Sequence, residues 1–340
     1  MFRFRWLIII LLSVTFFCCT EESIEPIYSP PEFMEIPRGF PEVAFPEDND
    51  FSLERWELGK KLFFDPVMSI DSSISCSSCH LPELAFSDDM TFSLGVNNLE
   101  GTRNSPSLGN VAYHPYFTRE GGVPSLEMQI LVPIQEHNEF DFNIVLLAER
   151  LAKDSIYIEM ANAAYNREPD AFVITRSIAT FERSLISGYS KYDQHIHYQN
   201  HEHLTEEELR GMDLFFSERT HCSSCHGGFN FTEYSFENNG LYLEYPDMGR
   251  FRLTGEEQDL AKFKVPSLRN VELTAPYMHD GSMSSLEEVV HHYNSGGEDH
   301  PNKNNLIKPL GLSKNEESEL VSFLKTLTDH SFVSNQIFKK

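Results

Sequence analysis

The sequence predicts a mainly α-helical chain made of two like modules in tandem. Three observations carry that prediction. One five-residue word, Cys76-Ser77-Ser78-Cys79-His80, returns as Cys222-Ser223-Ser224-Cys225-His226. Each copy follows a similar amphipathic run, Leu58-Gly59-Lys60-Lys61-Leu62-Phe63-Phe64 before the first and Arg210-Gly211-Met212-Asp213-Leu214-Phe215-Phe216 before the second. No strand-rich region stands out in the 340 residues, a length that suits two domains of ordinary size. Duplication of one module is the economical explanation.

From the N-terminus, residues 1–19 read as a processing segment. Arg3 and Arg5 give a basic flank, and Trp6 to Phe17 form an apolar stretch. It is shorter than the roughly 20 residues that span a bilayer and suits a secretory signal. Cys18-Cys19, followed by Thr20-Glu21-Glu22, resembles a bacterial lipoprotein cleavage site with Cys19 as the lipidated residue, although Phe16 and Phe17 fit it imperfectly. An uncleaved anchor is the alternative. Either way the body faces an extracytoplasmic space, the periplasm or cell envelope. Residues 20–45, with Pro26, Pro30, Pro31, Pro37 and Pro41, read as a stiff tether.

Residues 46–200 form the first module and 201–335 the second. Each amphipathic run predicts a short helix, and in the second Thr205 and Glu208 make a capping box at its start. Ile174, Ile178, Phe181 and Leu185 mark a helical stripe after Pro169, which core packing alone explains. His195-Ile196-His197, with His201 and His203, falls in a polar stretch that reads as a solvated linker rather than a metal site. A last helix is predicted from the box of Ser313 and Glu316, with Leu320, Phe323, Leu324 and Leu327 as its apolar face.

The repeated word carries the chemistry. C-x-x-C-H is the attachment signature of a c-type haem: two thiols one turn apart reach the two vinyl groups, and the following His comes under the iron. Zinc would need four ligands, and a thiol redox pair would need no His. Apart from Cys18 and Cys19 no cysteine remains, so no disulfide framework competes. Two covalently bound haem c groups follow, through Cys76, Cys79 and His80 and through Cys222, Cys225 and His226. Twenty-seven Phe suit the lining of large flat cofactors, and equally any core. The net charge of −25 excludes nucleic acid as a partner and favours a redox partner with a basic patch.

Four further segments carry a resemblance over roughly residues 46–330. They are Arg103-Asn104-Ser105-Pro106-Ser107-Leu108, Ser125-Leu126-Glu127-Met128-Gln129, Val265-Pro266-Ser267-Leu268-Arg269-Asn270 and Pro276-Tyr277-Met278-His279-Asp280-Gly281. With the paired words in this order, the chain resembles the bacterial di-haem cytochrome c peroxidases and the related MauG enzymes. The resemblance implies that the first haem meets peroxide and the second feeds it electrons. It implies a peroxide pocket at Gln129 and Glu139, with Pro133 over the open iron face. A carboxylate can shuttle the peroxide proton, and a neutral amide can orient peroxide without competing for that proton.

Many family members block the resting first iron with a His; the matching position here is Val96, and no His occurs between His80 and His114. The first iron is therefore expected to be five-coordinate or water-bound. For the second iron, counting from His279 leads to Tyr293 as sixth ligand, as in the MauG branch, where ordinary peroxidases use Met. A phenolate lowers the potential that a Met would raise. Met278 and Met283 are rivals, and His291 and His292 stand beside it. The family's inter-haem Trp is replaced by Arg119, leaving Tyr116 or Phe117 to stand in. The resemblance also implies a calcium ion at Asn104, Thr274 and Pro276, since oxygen ligands suit calcium.

The expectation is a lipid-anchored di-haem peroxidase that reduces hydrogen peroxide with electrons from a cytochrome c or cupredoxin, pairing of two copies being left open. A MauG-like oxidase acting on a partner protein or small molecule is the second reading, and a pure electron carrier the third.

Overall fold

The computed structural model describes residues 34–198 and 204–340. The expected signal segment, the Cys19 anchor, Pro26, Pro30 and Pro31 of the tether, and His201 and His203 lie outside the described residues. In chain order the first module carries α1 (Leu53–Phe64), α2 (Leu126–Gln129), α3 (Leu131–Gln135), α4 (Ile144–Leu151), α5 (Ser155–Tyr165) and α6 (Ala171–Arg183). α7 (Lys191–His197) leads out of it. The second module carries α8 (Glu206–Phe215), α9 (Cys222–Cys225), α10 (Phe251–Thr254), α11 (Leu286–Ser295) and α12 (Lys314–Lys325), and α13 (His330–Ser334) follows. Two two-residue strands, β1 (Phe236–Glu237) and β2 (Phe263–Lys264), pair antiparallel. The mainly α class is borne out. No helix among the described residues is long and apolar enough to cross a membrane.

Each module is organised by one close helix crossing. Ser52 starts α1 by accepting from the Arg55 N–H, and α1 then packs on α6. A Cβ added at Gly59 would stand 1.9 Å from the Ser177 carbonyl oxygen of α6. Only glycine lets two backbones approach so closely. In the second module the Thr205–Glu208 capping box starts α8 as expected. A Cβ at Gly211 would again stand 1.9 Å from a backbone oxygen, that of Glu319 in α12. The two glycines hold equivalent places in the repeated run.

A buried phenylalanine triad repeats with the crossing. Phe63, Phe86 and Phe181 have ring centroids 5.8, 5.0 and 6.4 Å apart. Phe215, Phe231 and Phe323 stand 6.0, 5.1 and 6.5 Å apart in the same order. Each triad joins the first helix, the loop after the cysteine word and the last helix of its module. The phenylalanine excess therefore serves the core beneath each word.

The cores do not divide cleanly between residues 200 and 201. Tyr192 of α7 packs on the second core, while Phe332 and Phe338 return to the first. His195 and His197, expected in a linker, are helical because Ser190 and Asp193 cap α7 reciprocally. Asp193 also holds the Arg269 guanidinium at 2.8 and 3.0 Å, wholly buried, which ties the connection to the second module.

Candidate functional site

The two cysteine words present their histidines alike. Cys76–Ser78 form a single tight turn and Cys222–Cys225 a single α-turn. The His80 N–H donates to the Cys76 carbonyl at 3.0 Å, and the His226 N–H to the Cys222 carbonyl at 2.9 Å. Each ring Nδ1 lies on a carbonyl oxygen of the triad: His80 on Phe86 at 2.7 Å, His226 on Phe231 at 3.2 Å. With Nδ1–H donating there, Nε2 keeps its lone pair for a metal. Burial lowers the pKa of both rings, that of His226 to about 4, so both are neutral and able to ligate. All four thiols are free and half-buried. Free thiols beside an oriented neutral imidazole fit a covalent haem at each word.

Near the first word the chain brings Val96 and the segment Pro133–Glu139 together, with Gln129 at the end of the preceding helix. Ser125 caps α2 by accepting from the Met128 N–H at 3.3 Å. The helix breaks at Ile130 and resumes as α3, which carries Pro133. The Pro133 carbonyl accepts from Phe140 at 3.1 Å as the chain turns back. Within that turn lies Glu139, whose carbonyl accepts from the Val96 N–H at 2.9 Å. Val96 is fully buried, so an apolar side chain fills the position that the resemblance matches to a blocking His. Gln129 ends α2, and its Oε1 is buried with no hydrogen-bond partner. A buried, unused acceptor costs free energy unless something occupies the space before it.

Glu139 is exposed by surface area yet crowded by protein on most sides, the condition of a carboxylate at the mouth of a cleft. That crowding, with the Glu136 charge adding to it, pushes its pKa up to about 7. Its charge in turn raises the pKa of Cys76 and Cys79, which places it near the attachment thiols. Sequence reasoning missed a second carboxylate, Glu182 of α6, which is 6% exposed. Burial pushes it up to about 8 against the pull of Arg183, with Glu127 adding, and Cys76 feels its charge too. Nothing in the sequence marks it beyond its place at the end of an apolar stripe.

Above the second word α11 is capped by Ser285 and runs unbroken to Ser295. The backbones at the two caps match: φ −143°, ψ 155° at Ser125 and φ −142°, ψ 157° at Ser285. Counted from these caps, Tyr293 takes the place of Pro133. Burial raises Tyr293 to about 12, Asn239 hydrogen-bonding opposes this, and the charges of Cys225 and Cys222 add to it. The phenol therefore lies by the second word. Its rival Met278 is close, since Asn239 Nδ2 donates to the Met278 sulfur at 3.2 Å. His292 Nε2 is engaged by the Asn239 carbonyl at 3.0 Å, and His291 pairs with Glu317 at the surface.

Between the modules, Trp56 plays no part: it is a core residue whose Nε1 donates to Ser184 Oγ at 2.8 Å. Tyr116 does span the junction, stacking on Phe236 of β1 at 5.0 Å. Its carbonyl accepts from the Lys264 ammonium at 2.9 Å. Of the expected calcium ligands, Asn104 has both its oxygens engaged. Arg119 Nη2 donates to both oxygens of Asn104, the carbonyl at 2.7 Å and Oδ1 at 3.3 Å. Thr274 and Pro276 lie in the turn that leads to Tyr277, where the Thr274 hydroxyl donates to the Val271 carbonyl. No group of three or more His, Cys, Asp or Glu among the described residues could hold a metal ion.

Residues 53–201 match the family described as di-haem cytochrome c peroxidase. The methylamine utilization protein MauG of Methylorubrum extorquens is 35% identical over 84% of this chain and 81% of its own length. A cytochrome c551 peroxidase of Nitrosomonas europaea is 33% identical over 83% and 81%. Among solved structures, a MauG-like protein associated with microbial copper homeostasis superposes with a TM-score of 0.85 at 34% identity, covering 90% of this chain and 98% of that one. A diheme peroxidase of Burkholderia thailandensis superposes at 0.74 with 22% identity, a likeness of fold.

Proposed function

This chain belongs to the di-haem cytochrome c peroxidase family, and from that premise we propose that it reduces hydrogen peroxide to water at the first haem while the second relays electrons. The single observation that carries this is the asymmetry of two equivalent positions. Pro133, which has no side-chain donor atom, comes eight residues after its helix cap, where the other module has the phenol of Tyr293. The bound haem supplies the iron that takes an oxidant and the electrons that reduce it. The chain's own residues supply the rest.

Peroxide must lose a proton from its inner oxygen and gain one on its outer oxygen. Glu139, with a pKa near the working pH, takes and returns that proton. Gln129 turns its unused Oε1 toward the bound molecule and holds it in line. Val96 and Pro133 keep strong ligands away from the iron. His80 and His226 would hold the two irons through Nε2, and Tyr293 would be a further ligand at the second. Tyr116 or Phe117 bridges the modules in place of a Trp. The donor is a small protein with a basic patch, a cytochrome c or cupredoxin, drawn by the strongly acidic chain. The enzyme works in the periplasm or cell envelope, tethered by a lipid on Cys19.

A second reading draws support from Tyr293. A phenolate lowers the potential of the second haem and favours its oxidised states, which suits an oxidase that modifies a partner molecule. One experiment separates these. The resting ferric protein is examined by electron paramagnetic resonance, then given peroxide with reduced cytochrome c. The peroxidase reading expects one high-spin and one low-spin iron, cyanide binding at one of the two, and steady turnover. Negligible turnover with a long-lived oxidised protein favours the oxidase. Two saturated irons that refuse cyanide sink both.

A further inference from the structure

We propose that the guanidinium of Arg119 occupies the oxygens of Asn104 at the junction of the two modules, and that no calcium binds there. The inference rests on family membership and holds whichever of the two reactions the enzyme performs.

Arg119 sits in a corner that the second module repeats. Thr118 has φ 62° and Met278 φ 77°, each followed by the residue in question, Arg119 or His279. Phe117 pairs with Val123 across the first corner and Tyr277 with Met283 across the second. These two corners face each other at Asn104. The Asn104 N–H donates to the His279 carbonyl at 3.0 Å, while Asn104 carbonyl and Oδ1 both accept from Arg119. Asn104 Nδ2 completes the set by donating to the Met90 carbonyl at 3.0 Å. Asn104 is 5% exposed and each of its polar atoms is used. Arg119 also receives the Lys264 N–H on its own carbonyl at 2.6 Å. One residue thus binds both modules through main chain and side chain.

Calcium takes six to eight oxygens at about 2.3–2.6 Å. The Asn104 oxygens available to it are those the guanidinium holds, and a second cation beside a buried guanidinium would be repelled. The surrounding carboxylates do not reverse this. Glu120 and Asp247 are already paired with Arg103, and Asp280 accepts from the Tyr242 hydroxyl at 2.6 Å. Arg103 and Lys264 add positive charge on the same side.

The test is metal analysis of the purified holoenzyme together with thermal unfolding in calcium chloride and in a calcium chelator. The expected result is no stoichiometric calcium and no change in Tm between the two solutions. One calcium per chain, or a Tm that falls on chelation, overturns the proposal. R119Q removes the charge and frees Oδ1; this variant is expected to gain a calcium-dependent rise in Tm. A folded R119Q indifferent to calcium would show that the guanidinium is not what keeps the ion out. Should R119Q fail to fold, R119K, which keeps the charge, must stay indifferent to calcium, and the wild-type metal content still decides.

Discussion

In the first module the helix capped by Ser125 breaks at Ile130 and resumes as α3, which carries Pro133 and ends at Gln135 before the turn that delivers Glu139. In the second the helix capped by Ser285 continues to Ser295 and carries Tyr293. Beneath these segments the modules are nearly the same: the glycine crossing, the phenylalanine triad and the carbonyl that holds the proximal His all recur. Duplication therefore preserved what holds a haem and changed what lies above it. Around the first word lie two carboxylates with raised pKa values, Glu139 at about 7 and the buried Glu182 of α6 at about 8. The second offers a phenol and a thioether joined through Asn239. In the proposed function one surface would move protons, and the other would ligate.

The largest effect should come from removing the proton carrier on one side only. E139Q keeps the shape and loses the titration, so peroxide turnover should fall by about 10^2- to 10^4-fold, the usual contribution of a general acid–base. The low-spin signal of the second haem should not change. Turnover within about threefold of wild type would remove Glu139 from the proton path and erase the functional contrast drawn above.

A smaller and symmetric loss is expected beneath the haems. A methyl at Gly59 or Gly211 meets a carbonyl oxygen at 1.9 Å, too close for any rotamer change to relieve. Overpacking of this kind costs about 1–3 kcal/mol and at times more. G59A and G211A should each fall at the upper end, by about 3 kcal/mol, in denaturant unfolding of the holoprotein. If one is tolerated and the other is not, the two crossings are not equivalent and the case for a shared plan weakens.

How much of this was legible beforehand follows from what local sequence can encode. The words, the capping boxes at Thr205 and Ser313 and the apolar face of α12 are local patterns, and the structure places them as expected. Gly59 and Gly211 were visible only as part of a repeated run, because what makes them necessary is a backbone more than a hundred residues away. Glu182 was invisible for the same reason: burial of a helical Glu depends on what packs over it. The calcium expectation failed to fit on a single side chain. Arg119 was noted as a missing Trp, but its reach to Asn104 depends on a left-handed corner at Thr118 that no pattern announces. Gln129 and Glu139 became candidates only through resemblance, since a Gln and a Glu in polar surroundings carry no signal of their own.

The smallest expected effect tests the electrostatics of that contrast. Peroxide turnover needs Glu139 ionised to accept the first proton, so activity should rise with pH through about 7 and the limb should vanish in E139Q. Burial is the main cause of the raised pKa, and the neighbouring Glu136 charge is the second. E136Q removes only the second, so the limb should move to lower pH. Glu136 is exposed, so the shift should be a few tenths of a unit and shrink further in high salt, where such charges are screened. The second module provides the control: the carboxylates that titrate in this range belong to the first module, so the second haem's spectrum should stay constant across it. A limb that moves upward in E136Q would mean that the titrating group is not a carboxylate beside Glu136, and the proton path would then have to run through Glu182.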